Sequence, residues 1–188
     1  MTSDLPFEAA FLRGALLVGL MHEQDAHDWA ESLIHEAPDM EGVLADLLMT
    51  PVELSAMREA LWVLSKQVDA RKVGAAILTA AALEGDTRAP DDRLRVLADI
   101  RANLPLPKEV AAAIKSFENR RMFAAVGVPA VTSPGSDELM AFLDRVRAPG
   151  FFNVLVDGRI VVLDEAQWKA ARARGPLPVR SRIPYPQQ

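Results

Sequence analysis

Apolar residues cover every side of two stretches of the chain. Residues 6–21 contain only two charged side chains, Glu8 and Arg13, and residues 71–84 are rich in alanine. A helix that is hydrophobic all round lies in the interior of a fold. Because two such helices need several others to cover them, the pattern predicts a layered helical domain and disfavours a simple four-helix bundle.

The covering helices are expected to be amphipathic. Their apolar residues recur at the i, i+3, i+4, i+7 spacing of a helix with one buried face. These segments lie at about residues 26–37, 40–49, 51–64, 90–103 and 108–125. The third of them follows a strong start signal, with Thr50 as the N-cap, Pro51 in the first turn and Glu53 completing a capping box. Six to seven helices are therefore predicted to form one α-helical domain over residues 5–126.

The helical periodicity stops near Gly127, in a segment rich in proline and glycine that is expected to be a linker. A helix is predicted from Ser136. Residues 151–163 then place two β-branched runs on either side of Asp157-Gly158, which is typical of a β-hairpin with a type I′ turn. With a last helix, these elements predict a small helix–β-hairpin–helix annex over residues 136–174. The four prolines of residues 176–188 predict a flexible tail.

The composition of the chain is that of an ordinary globular protein. Of the 188 residues, 50% are hydrophobic and 25% are charged, and there is no cysteine. The chain therefore has no thiol nucleophile, no cysteine-ligated zinc and no iron–sulfur cluster. Its longest apolar runs, residues 14–21 and 73–83, are shorter than the roughly 20 residues that span a bilayer. Acidic residues precede any base, unlike a signal peptide, so we expect a cytoplasmic protein without a membrane helix.

Charge is distributed unevenly along the chain. Residues 1–50 contain ten acidic residues and one basic residue, Arg13, whereas residues 145–188 contain eight basic and three acidic residues. Such an asymmetry concerns partners, not the fold. It predicts that the acidic helices contact a basic partner, with Asp28, Glu31 and Glu36 as the partner-binding residues. The basic tail of the same chain, or of a second copy in a homodimer, is another candidate for the group that the acidic helices contact. The alternative is that the acidic residues form an ordinary solvated surface without a partner.

Three residues at i, i+4, i+8 spacing, His27, Glu31 and His35, offer ligands suited to zinc. The two histidines are, however, about 12 Å apart along a helix axis, so both cannot bind one ion. The neighbouring acids could support acid–base chemistry only if they converged in a pocket. There is no glycine-rich phosphate loop and no nucleophile elbow. We therefore expect neither a metal nor a cofactor.

The order of helix 108–125, helix 136–147 and hairpin 151–163 imitates the second half of a winged helix. A recognition helix should present basic or amide side chains to DNA, whereas this one carries Asp137 and Glu138 at its start. The net charge of −5 would also repel a phosphate backbone. Nucleic-acid binding is therefore disfavoured.

The sequence favours a non-enzymatic, cytoplasmic protein-interaction module with an acidic helical face. One specific form would neutralise a basic partner, as an immunity protein or an antitoxin does. The alternative is a small enzyme or metal-binding protein that uses His27, Glu31 and nearby carboxylates. A winged-helix-like nucleic-acid binder is the third hypothesis.

Overall fold

A computed structural model of the chain describes residues 4–36, 38–83, 89–146, 152–156, 159–163, 166–167 and 170. Within these ranges the chain forms eight α-helices and one 3-10 turn, Pro38–Met40. The helices are α1 (Leu5–Leu17), α2 (Glu23–Glu36), α3 (Glu41–Leu48), α4 (Leu54–Leu64), α5 (Ala70–Leu83), α6 (Pro90–Asn103), α7 (Lys108–Ala125) and α8 (Ser136–Val146).

The helix α1 lies between two hydrophobic clusters. One side of α1 packs with α2, α3 and α4 in what we call the first cluster, and another side packs with α5 to α8 in the second cluster. The buried residues of the first cluster are Ala9, Leu12, Leu16, Ala26, Trp29, Ala30, Leu44, Leu47, Met57 and Leu61. In the second cluster, the rings of Phe117 and Phe142 meet edge to face, with centroids 5.2 Å apart. An all-round apolar helix at residues 6–21 is explained by this double contact.

The alanine-rich helix α5 is buried from residue 73 to residue 82, except for the half-buried Ala75. Its small residues allow close packing, as at Gly74, where an added Cβ would lie 2.9 Å from the carbonyl oxygen of Pro105. Gly14 on α1 is packed equally tightly, because a Cβ there would overlap the side chain of Ile77. The prediction of two interior helices is confirmed by this burial.

Ion pairs join the helices α6, α7 and α8 to one another. Arg101 on α6 makes a two-pronged contact with Glu118 on α7, with nitrogen–oxygen distances of 2.8 and 3.2 Å. Arg121 on α7 contacts Asp91 on α6 at 2.8 Å. Arg120 on α7 pairs with Glu138 on α8. Between described residues, every ion pair lies on these three helices.

The predicted architecture of a helical domain followed by a helix–β-hairpin–helix annex is wrong. Within residues 4–146 the described elements are eight α-helices and one 3-10 turn, and α8 packs with the other helices. Leu139, Phe142 and Leu143 of α8 lie in the second cluster together with residues of α1, α5, α6 and α7. The apolar spacing of α8 predicted its buried face correctly, but spacing does not reveal which core that face joins.

After α8, the backbone is described for β1 (Phe152–Val156) and β2 (Arg159–Leu163). They pair antiparallel, and β1 lies beside α5 and β2 beside α2. The predicted turn at Asp157-Gly158, most of the last helix and the tail over residues 176–188 lie outside the described residues. The boundaries placed at residues 126 and 136 stay a prediction.

Candidate functional site

The acidic face begins on α2, which is fixed by its buried side. Ala26, Trp29 and Ala30 are buried in the first cluster. The indole Nε1 of Trp29 donates a hydrogen bond of 2.8 Å to Oε2 of Glu8, which ties α2 to α1. At the start of α2, the backbone N–H of His22 donates to the Asp25 carboxylate at 2.7 Å. These contacts determine which face of α2 is turned outwards.

The outward face of α2 carries Gln24, Asp28, Glu31 and His35, which follow one another at the spacing of a single helical stripe. Glu31 and His35 are exposed, and Asp28 is half-buried. Nε2 of Gln24 donates to a carboxylate oxygen of Asp28 at 3.0 Å. The structure therefore brings Asp28 and Glu31 together on one surface.

The third predicted partner-binding residue, Glu36, ends α2. It follows Glu31 by five residues, so its Cα lies about 140° around the helix from that of Glu31. The side chain of Glu36 lies outside the described residues. The predicted set of Asp28, Glu31 and Glu36 therefore spans about 140° of the helix circumference, and its role in binding stays a prediction.

His27 does not join an open ligand set with Glu31 and His35. Its Nε2 lies 3.1 Å from the carbonyl oxygen of Thr50, at the end of α3. Glu31 and His35 remain exposed. Across the described ranges, no group of three or more histidine or acidic side chains is arranged to hold a metal ion.

The predicted capping box at Thr50 is wrong. The Thr50 hydroxyl donates to the carbonyl oxygen of Asp46 at 2.6 Å, so Thr50 completes the preceding helix α3. Helix α4 begins at Leu54, and its N-cap residue Glu53 makes no side-chain capping bond. The reason is that a threonine hydroxyl can donate back to the carbonyl four residues earlier as readily as it can accept at a helix start.

The acidic surface continues onto the 3-10 turn and α3, which pack beside α2. The acids Asp39, Glu41 and Asp46 are exposed there. Large apolar side chains are exposed on α3 and on the connection to α4, and Met49 is the most exposed of them at 84%. We call the following set the α2–α3 surface: Asp28, Glu31, Asp39, Glu41, Val43, Asp46, Met49, Val52 and Leu54.

An open cleft between α1 and α4 was not predicted from the sequence. It has a volume of about 370 Å³ and is lined by Arg13, Ser55, Arg58, Glu59 and Trp62. The Arg13 guanidinium lies over the Trp62 ring, 4.5 Å from its centroid. Burial, together with the positive charge of Arg58, lowers the pKa of the Arg13 guanidinium. Arg13, the only basic residue among residues 1–50, therefore lines this cleft.

The signal for this cleft was present in the sequence as a second stripe on α4. Ser55, Arg58, Glu59 and Trp62 recur at i, i+3, i+4 and i+7, and therefore share one helix face. The first stripe, with Met57 and Leu61, is the buried one. Nothing in the spacing reveals that the polar stripe faces Arg13, because that contact joins residues more than forty positions apart.

No protein-family model matches this chain, and neither the curated proteins nor the solved structures give a match to it. Among the described helices, none combines the length and the apolar character needed to cross a lipid bilayer.

Proposed function

We propose that this chain is a non-enzymatic, cytoplasmic protein-interaction module that binds a basic partner through the α2–α3 surface. The observation that carries the proposal is the combination of exposed acids and exposed large apolar side chains on adjoining helices. Met49, Val52 and Leu54 supply the apolar part, and Glu31, Glu41 and Asp46 are among the acids.

This combination has the chemistry of a protein interface. Such interfaces contain an apolar centre, from which charged residues are depleted, and a polar rim that stays accessible to solvent. Exposed apolar patches on a folded protein often mark sites of interaction. The surrounding acids would steer a basic partner during encounter and repel acidic competitors.

The specific form that we favour is the neutralisation of a basic partner, in the manner of an immunity protein or an antitoxin. It is supported by the nearly uncompensated acidity of residues 1–50, where Arg13 alone is basic and lies in the cleft beside Trp62. The metal-binding alternative has less support because His27 contacts the Thr50 carbonyl. The winged-helix alternative also has less support, because the exposed start of α8 carries Asp137 and Glu138, which would repel a phosphate backbone.

Charge reversal tests the proposal. In the double variant Glu31→Lys/Asp46→Lys, both changes fall on exposed positions in the interior of a helix, so the fold should be retained. Partners captured from native lysate by the wild-type chain should be depleted with this variant. For the captured partner, the association rate at low salt should fall by about tenfold or more, and its dependence on salt should flatten.

The matched control is Glu109→Lys/Asp137→Lys, which makes the same change in net charge at exposed positions of α7 and α8. The control should bind the partner at nearly the wild-type rate. If both variants lost association rate equally, the effect would come from the net charge of the protein and not from the acidic surface. If neither variant lost association rate, the acidic surface would not be the binding site. If deletion of residues 176–188 and the test variant both change the shape or the oligomeric state of the isolated protein in the same way, the acidic surface instead contacts the basic tail.

A further inference from the structure

The cleft between α1 and α4 concentrates positive charge without an ion pair. Neither Arg13 nor Arg58 forms a salt bridge with any described residue. The Nε atoms of both side chains are buried and have no hydrogen-bond partner within the described part of the chain. By contrast, Arg101, Arg120 and Arg121 on the other side of the molecule are all paired with acids.

The guanidinium groups of Arg13 and Arg58 line the same cleft and repel one another. The lowered pKa of Arg13 has burial as its first cause and the charge of Arg58 as its second. Arginine is not deprotonated in proteins at neutral pH, so both groups keep their charge. One acid, Glu59, also lines the cleft and leaves it with one positive charge in excess.

We propose that this cleft binds the carboxylate group of an organic anion, whose apolar part packs against Trp62. The planar guanidinium fork matches the two oxygens of a carboxylate, and the two arginines offer donors from two helices. Trp62 is 53% exposed, so the part of its ring that the Arg13 guanidinium does not cover supplies an apolar wall for the ligand. The hydroxyl group of Ser55 adds a neutral donor to the same lining.

A carboxylate is favoured over a phosphate monoester by charge. Arg13, Arg58 and Glu59 together carry one net positive charge, which a monoanion neutralises. A phosphate monoester carries between about −1.5 and −2 at neutral pH and would leave the cleft negative beside Glu59. The volume of about 370 Å³ exceeds what a carboxylate alone occupies and leaves room for an attached ring or chain.

Benzoate, benzamide and phenyl phosphate are probes that share one ring and differ in charge. Each is titrated at constant ionic strength while the three indole N–H signals are followed by NMR, with the Trp62 signal identified by its loss in Trp62→Phe. Benzoate should shift the Trp62 signal saturably and bind at least about tenfold more tightly than benzamide. Phenyl phosphate should bind no more tightly than benzoate.

Substitutions of arginine test whether benzoate binds in the cleft between α1 and α4. Arg58→Met should weaken benzoate binding by about tenfold or more, because it removes one guanidinium. The control Arg95→Met removes the same charge from an exposed side chain of α6 and should change the affinity less than threefold. Should Arg58→Met fail to fold, Arg58→Lys keeps the charge without the planar fork and should still weaken binding several-fold.

Glu59→Gln tests the charge argument itself. With this acid neutralised, the cleft carries two positive charges, so the preference should move from benzoate towards phenyl phosphate. Binding of benzoate no tighter than that of benzamide, or equal weakening in Arg58→Met and Arg95→Met, would overturn the proposal. Tighter binding of phenyl phosphate than of benzoate to the wild-type chain would overturn the choice of a carboxylate.

Discussion

At the scale of single residues, two glycines determine how closely the central helices approach. Gly14 on α1 faces Ile77 of α5, and Gly74 on α5 faces the Pro105 carbonyl. Glycine in a helix normally costs about 1 kcal/mol relative to alanine. Here that cost is offset, because a Cβ at Gly74 would meet backbone that cannot give way, and a Cβ at Gly14 would force the Ile77 side chain to move.

The substitution Gly74→Ala should therefore destabilise the protein in spite of the better helix propensity of alanine. Its Cβ would lie 2.9 Å from a backbone oxygen that cannot rotate away. We expect a loss of about 1–3 kcal/mol in the free energy of unfolding, as is typical of overpacking. Denaturant melts give the measurement.

Gly42→Ala is the matched control, since nothing lies within 4 Å of a Cβ at this exposed position of α3. It should leave the stability unchanged or raise it by up to about 1 kcal/mol. If Gly74→Ala were as stable as Gly42→Ala, the close approach of α5 to Pro105 would not constrain the fold.

At the scale of elements, hydrogen bonds from Arg93 on α6 hold the start of α8 in place. The Arg93 side chain is only 3% exposed, and Nη1 donates to the backbone oxygen of Ser136 at 3.2 Å and to the Ser136 hydroxyl at 2.6 Å. Arginine is almost never buried this deeply without partners. This contact holds the end of the non-helical segment between α7 and α8 against α6.

Arg93→Met should lower the free energy of unfolding by about 2 kcal/mol or more, because it removes both hydrogen bonds and leaves Ser136 without its donor. Arg95→Met on the same helix should cost less than about 1 kcal/mol, because its 3.6 Å ion pair with Asp92 is exposed. Thermal melts of the two variants compare them directly. Equal stabilities would mean that the contact with Ser136 does not hold α8 in place.

The sequence allowed the helices to be predicted better than their contacts. Apolar spacing placed α2, α5, α7 and α8 to within a few residues, because this local signal reflects burial on one face. The capping motif at Thr50 failed, since its hydroxyl serves α3. The burial of Arg93 and the meeting of Arg13 with Arg58 could not be predicted, because both depend on contacts between distant parts of the chain.

The candidate site was predictable only in part. The acid-rich composition of residues 1–50 identified the region, and helical spacing correctly placed Asp28 and Glu31 on an outward face. The exposed apolar residues beside them, such as Met49, were not distinguishable from core residues by type. Exposure of an apolar side chain depends on which neighbours cover it, and sequence spacing does not specify these.

At the scale of the whole molecule, α1 is common to both clusters. Leu12 is buried in the first cluster, and its neighbour Phe11 is buried in the second. Adjacent residues on a helix point about 100° apart, so one helix can contribute to two cores at once. The stability of each cluster should therefore depend on the other through α1.

Leu12→Ala should reveal this coupling in amide hydrogen exchange. The substitution creates a cavity in the first cluster and should cost about 2–5 kcal/mol. We expect faster exchange in α3 and α4 and also in α5, which does not belong to the first cluster. Leu143→Ala on α8 provides the comparison, because it creates a similar cavity in the second cluster, and by the same coupling through α1 it should also speed exchange in α4. Faster exchange confined to α2, α3 and α4 in Leu12→Ala would argue against the shared role of α1.

The position of α1 also has a consequence for synthesis on the ribosome. The helix α1 needs partners on two sides, and it emerges before them, because its most extensive contacts are with α4 and α5, which end at Leu64 and Leu83. At about 5–20 residues per second, α5 is completed several seconds after α1. During this interval the apolar surface of α1 remains available to chaperones and to other nascent chains, so we expect the rate of elongation through residues 18–83 to influence the yield of folded protein.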